Sequence, residues 1–139
     1  MCLISKDANP LIANEKIPVY KVIDERGYPP YYGKRFFSRD IYRYHYGINC
    51  AEGKKRITTM QMHTVDGGAY MIDGGFLHAF TDYYCATDLA SERNCNSLNN
   101  PQYFRVVKMY VPIGAEYYVS EIDHEICSTA LVWDKNDQF

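Results

Sequence analysis

An α+β domain is the fold class this chain predicts: a curved, mostly antiparallel sheet of about six to seven strands with one main helix, residues 81–92, on one face. Three observations carry that expectation. β-branched and aromatic residues gather in short runs, either continuous or alternating, from residue 17 to residue 133. Clusters of Gly, Pro, Asn and Asp punctuate those runs. One stretch alone has helical spacing behind a capping residue, Thr81.

The elements follow in order. Residues 1–16 lack periodicity and hold Asn9, Pro10 and Asn14, so they read as an irregular lead-in. Ile17 to Ile23 is β-branched and nearly continuous, a buried strand with Pro18 at its start, where a missing donor is tolerated. Residues 24–33 contain Gly27, Pro29, Pro30 and Gly33 and form a loop. Ile41 to Ile48 alternates, which predicts a strand with Tyr42, Tyr44 and Tyr46 on one face and Arg43 and His45 on the other.

Ile57 to Val65 alternates as well, with Met60 and Met62 opposite Gln61 and His63. Asp66-Gly67-Gly68 then turns the chain into Ala69–Ile72, a hairpin pattern. Asp73-Gly74-Gly75 is a second turn, ahead of a short strand from Phe76 to Phe80. In the helix, the Thr81 hydroxyl is expected to accept from first-turn amides, and Asp82 complements the dipole. Cys85, Ala86, Leu89 and Ala90 form its buried stripe. A polar loop covers 94–101, Tyr103–Val111 is the strongest strand, Pro112-Ile113-Gly114 turns it, Ala115–Ser120 is a short extension, and Ile126–Trp133 is the last strand.

Composition narrows the function classes. The 139 residues, 47% hydrophobic and 23% charged, suit one domain over 1–139 with a single core. A net charge of −2 disfavours general nucleic-acid binding. No apolar run approaches the ~20 residues of a membrane span. The first residues lack a secretory pattern, and five scattered cysteines form no Cys-x-x-Cys pair, so a cytoplasmic location is expected. Fourteen tyrosines supply side chains with an apolar body and a polar tip, suited to half-buried sheet faces and to binding surfaces for flat ligands or proteins.

Most candidate chemistry is thin. His45, His63, His78 and His124 show no local metal-binding spacing, so no metal is expected. Cys85 falls on the apolar stripe and Cys127 in an apolar strand, the setting of buried thiols rather than nucleophiles. Glu121, Asp123 and Glu125 form an acidic cluster that reads as solvated. Gly67-Gly68 and Gly74-Gly75 are turns, not a phosphate-binding fingerprint. His78, between Phe76 and Phe80 on one strand face, is the best candidate. Two readings stand: a part-buried ring satisfied by backbone, or a ring at the rim of an aromatic pocket within reach of Tyr20 and Lys21.

Three segments carry a resemblance: Ile-Pro-Val-Tyr-Lys-Val, Gly-Phe-Leu-His-Ala-Phe-Thr-Asp, and Val-Val-Lys-Met-Tyr-Val-Pro-Ile-Gly-Ala-Glu-Tyr-Tyr. Over residues 17–133 the chain resembles small proteins of gut bacteria and their phages that bring no established activity. In plan it is also similar to the ADP-ribosyltransferase fold, through Tyr20-Lys21, Gly75-Phe76 with Thr81, Pro112-Ile113-Gly114-Ala115, and Glu125. That resemblance implies NAD as cofactor, Tyr20 and Lys21 as dinucleotide contacts, His78 at the pocket wall and Glu125 as the catalytic carboxylate. Lys21 stands where that family has Arg or His, the Ser-Thr-Ser element is missing, and Asp123 replaces a glutamate. The departures fall on the residues that carry the chemistry. The expected function is therefore a non-catalytic binding domain whose tyrosine-rich groove, with Tyr20, Lys21, Phe76 and His78, takes a nucleotide-like ligand or a protein partner. The alternative is a degenerate NAD-using transferase.

Overall fold

A computed structural model describes residues 3–30, 42–60, 69–95, 103–120 and 123–139. In chain order the elements are β1 (Leu3–Ser5), β2 (Leu11–Ile12), β3 (Ile17–Asp24), β4 (Gly47–Cys50), β5 (Arg56–Met60) and β6 (Ala69–Gly74). They continue with β7 (Leu77–Phe80), α1 (Tyr83–Cys95), β8 (Phe104–Val111), β9 (Glu116–Ser120), β10 (Glu125–Ser128) and β11 (Ala130–Trp133). The class is α+β with antiparallel pairing throughout the described residues. The strands number eleven there, in two sheets rather than one, against the six to seven expected. The larger sheet runs β2-β9-β10-β7-β3-β8-β11-β4, and the smaller runs β1-β6-β5.

One connection shapes the large sheet. β10 and β11 are separated by Thr129 alone, yet they stand third and seventh in the strand order. Four strand spacings on a flat sheet would span about 19 Å. Two residues of extended chain reach only about 7 Å. The sheet must therefore curl, and β8–β9 with β10–β11 form one long hairpin bent across the curl. Thr129 holds the bend: its amide donates to the Glu116 carbonyl at 3.0 Å, and its carbonyl accepts from Ala51 at 2.9 Å. The single last strand expected over 126–133 is thus two strands. Burial persists from Ile126 through Ser128 and at Ala130, Leu131 and Trp133, while the two strands pair with different partners.

Alternation then separates two faces. Val19, Ile23, Leu77, Ala79, Val107, Met109, Val111, Ile126, Leu131 and Trp133 meet on the inner side as the main core. The other side is covered twice. Ala86 and Ala90 of α1 pack on Val22 and Phe104, with Tyr20, Phe80, Leu89 and Val106 around them. The small sheet sets Leu3 and Ile72 against Phe76, Tyr118 and Cys127. β7 lies where the two coverings meet. Cys127 and Tyr118 are linked to His78 by register, so His78 shares their face.

Three further expectations are corrected. Residues 1–16, read as an irregular lead-in, contribute β1 to the small sheet and β2 to the large one, with Leu3 fully buried. The helix cap is Asp82, not Thr81: the Asp82 carboxylate accepts from the Tyr84 amide at 2.9 Å, and its carbonyl accepts from Ala86. Thr81 instead donates its amide to the His124 carbonyl, extending the pairing beyond β7. The tyrosines 42, 44 and 46 do not form a ladder on a strand face, because the segment 42–46 is not a strand. Its backbone is claimed elsewhere. The Tyr44 amide donates to Gly27, and the fully buried Asn49 side chain accepts from the His45 amide and donates to the His45 carbonyl. Gly27 makes that approach possible. Its φ is +93°, and a Cβ there would collide with the Tyr44 carbonyl. β5 and β6 pair antiparallel as expected, but with Met60 opposite Ala69, not with Val65 there as a tight turn at 66–68 would require; residues 61–68 lie outside the described residues.

Candidate functional site

The two edges of β3 are unlike. Against β8 it makes eight consecutive register pairs, from Ile17 with Val111 to Asp24 with Phe104. Against β7 it makes one, Tyr20 with Phe80. Had that ladder continued, Val22 would have come opposite His78. Instead the strands part, and the His78 carbonyl loses a backbone partner. The ammonium of Lys21 supplies the missing donor, bonding the His78 carbonyl directly. A buried carbonyl needs a donor, and a lysine on the neighbouring strand is long enough to provide one.

That lysine is held in unusual surroundings. Lys21 is 7% exposed and stands in sequence between Val19 and Ile23, both fully buried. Its Nζ lies 5.0 Å from the centre of the Tyr44 ring, a cation–π contact. No carboxylate among the described residues lies within ion-pair distance of it. Burial therefore lowers its pKa to about 7, with only a partial counter-effect from the charge of Glu125. Burial likewise pushes the Tyr44 hydroxyl well above its ordinary range, so it supplies no negative charge.

His78 is 8% exposed, and neither ring nitrogen has a hydrogen-bond partner among the described residues. Burial, followed by the charge of Lys21, lowers its pKa to about 3. The ring is therefore neutral at physiological pH, with one donor and one acceptor unused. His78 and Lys21 line a cleft together with Val22, Pro30, Ala79, Phe80 and Leu89. The cleft encloses about 200 Å³ counting its open mouth, and its interior has room for about one water molecule. A whole nucleotide does not fit there.

The residues expected to act together are distributed as follows. Tyr20, Phe80 and Glu125 form one row across β3, β7 and β10. The Glu125 carboxyl is pushed above its ordinary value by burial first and by Asp123 second. Phe76 sits apart from the cleft lining, edge-on to Tyr118 at 5.4 Å and beneath the Lys55 ammonium. Lys21 points its ammonium at the His78 carbonyl. His78 is enclosed as the first reading had it, yet its ring is not bonded to backbone. Cys127 is buried with its thiol pushed up to about 12, chiefly by burial, so it stays protonated. Cys85 is raised too, by desolvation and by Asp82. Among the described residues no group of three or more His, Cys, Asp or Glu side chains is placed to hold a metal. No helix there is long and apolar enough to cross a membrane.

Sequence reasoning missed an aromatic surface at the start of α1. Tyr83 meets Tyr20 edge-on at 5.6 Å and Phe139 at 5.1 Å, Phe139 stacks on Tyr20 at 6.1 Å, and Tyr84 meets Tyr83 at 5.7 Å. Tyr84 and Phe139 are 74% and 71% exposed. The signal was present in Tyr83-Tyr84 directly after the cap, two tyrosines outside the buried stripe. The partner ring from residue 139 had no such signal. Comparison with known proteins gives no relative: no family model, no curated protein and no solved structure matches the chain.

Proposed function

We propose that the protein is a non-catalytic binding domain whose recognition surface is the aromatic cluster of Tyr20, Tyr83, Tyr84 and Phe139, and whose partner is another protein. The observation that carries this reading is the continuity of four rings in mutual contact, two of them mostly exposed. Large rings left mostly in water favour association, because each buries much apolar area at a low entropic cost and the tyrosine hydroxyls find a donor or acceptor. The one-water interior of the cleft favours the protein partner over a nucleotide-like ligand. The test is a photo-crosslinking amino acid placed at Tyr84 in cells that express the protein, with Tyr103, another exposed tyrosine, as control. Discrete capture at 84 that disappears in Phe139→Ser supports the reading. Equal labelling at both positions, or none at either, contradicts it.

A second reading has one observation in its favour. The row Tyr20–Phe80–Glu125 places an aromatic side chain and a carboxyl of raised pKa on one face, two strands apart. An NAD-using transferase would use such a row, with Glu125 as the catalytic carboxylate. Labelled NAD incubated with wild type and Glu125→Gln decides the matter: turnover in the wild type that the variant lacks supports the enzyme, and no turnover removes it.

A further inference from the structure

We propose that the seam between β3 and β7 binds a small monovalent anion, held between the Lys21 ammonium and an N–H of the His78 ring. Two requirements go unmet in one place. Lys21 is a buried cation with no carboxylate in ion-pair contact among the described residues, and one carbonyl uses one of its three donors. His78 is a buried ring with both nitrogens unpartnered among the same residues. Each is costly alone, since buried polar groups are bonded and buried charges are paired. Both line the same cleft, and the rest of its wall is apolar: Val22, Pro30, Ala79, Phe80 and Leu89.

A single occupant that accepts hydrogen bonds from both groups meets both requirements. A water molecule bonds both but leaves the charge uncompensated. An anion of about that size, a halide or the head of a short carboxylate, bonds both and neutralises the cation. The low-dielectric wall strengthens the pairing. Among the described residues the charged and titratable groups around the seam are Lys21 from β3, His78 from β7, Tyr44 from the segment packed over Lys21, and Glu125 and the protonated Cys127 from β10. Glu125 is the one acid among them, and it stops short of an ion pair. The apolar part of the wall, Val22, Pro30, Phe80 and Leu89 among it, suits a short aliphatic tail behind a carboxylate head.

The test is thermal unfolding at pH 6 and constant ionic strength, with the bulky sulfonate MES replaced stepwise by chloride, acetate or butyrate. Binding to the folded state alone raises the midpoint by about 5 °C when the anion reaches about ten times its dissociation constant. The wild type is expected to show that rise, and Lys21→Met and His78→Phe are expected to lose it. A larger effect of butyrate than of chloride identifies a carboxylate with a tail; the reverse order identifies a halide. No anion-specific rise in the wild type, or the same rise in both variants, overturns the proposal. Should a variant fail to fold, nitrogen NMR of the wild type decides. Saturating anion is expected to shift the Lys21 Nζ and His78 ring resonances together, and resonances that stay fixed mean that no anion binds.

Discussion

The two edges of β3 are built from the same eight residues and behave oppositely. Toward β8 every residue is in register, and the inner side chains Val19 and Ile23 meet Met109 and Val107 in the main core. Toward β7 a single pair closes, and the strands then separate around a lysine and a histidine. The lesson is about what opens a sheet. A ladder gives each carbonyl an inexpensive neutral donor, whereas this seam satisfies one carbonyl with a buried cation and leaves an imidazole unpaired. The zipped edge holds the fold together, and the open edge gives up stability for an apolar-walled cleft that holds two polar groups.

Substitution on the zipped edge has the largest expected effect. Ile23→Ala removes a fully buried side chain from the main core, and chemical denaturation is expected to show a loss of about 2–4 kcal/mol with little pH dependence. On the open edge the effect takes the opposite sign in acid. The folded-state pKa of His78, about 3, lies below its ordinary value of 6.5. As pH falls through 6.5 the unfolded chain binds a proton that the folded chain refuses. The stability tied to His78 is therefore full above about pH 6.5 and is lost progressively down to about pH 3. His78→Phe removes that loss and fills the cleft, so the variant is expected to exceed the wild type by roughly 2–3 kcal/mol at pH 4. An unchanged acid limb would mean that the ring is solvated.

Lys21 tests the seam from the alkaline side. Its folded-state pKa, about 7, lies below the ordinary 10.5, so between these values the unfolded chain holds the extra proton. Wild-type stability is expected to rise by roughly 2 kcal/mol from pH 7 to pH 9, and to be independent of this group below pH 7. Lys21→Met is expected to show no such rise. At pH 6 it is expected to be more stable by about 1 kcal/mol, because losing the buried charge outweighs the orphaned His78 carbonyl. The smallest effect on stability belongs to the aromatic surface. Tyr84→Ser and Phe139→Ser are expected to change the unfolding free energy by less than about 0.5 kcal/mol while lowering partner affinity at least tenfold.

Much of the frame was legible in the chain. Alternation and turn residues placed β3, the β5–β6 pairing, β7, β8 and β9, since these elements make regular ladders that hydrophobic period reports directly. β1 and β2 were missed because strands of three and two residues are too short to show a period. Three other misplacements share one cause: a backbone satisfied by something other than the expected ladder. Residues 42–46 alternate like a strand, but Gly27 and the Asn49 side chain take their hydrogen bonds. The run 126–133 reads as one strand because burial persists while Thr129 redirects the chain. Thr81 and Asp82 are both good caps, and only the pairing of Thr81 with His124 decides between them. At the site, His78 stood out as a polar residue in an apolar strand. That Lys21 would turn its ammonium onto the His78 carbonyl, 57 positions away in sequence, depends on where the β3–β7 ladder stops, and no local pattern encodes that.

The central claim, that Lys21 is a buried cation held at an open seam, is tested most directly by the titration of its own Nζ, followed by nitrogen NMR with Lys21→Met for assignment. The account predicts a midpoint near pH 7 in the wild type at low salt. A midpoint near the ordinary 10.5 would mean that the ammonium reaches solvent, and the seam described here would not exist.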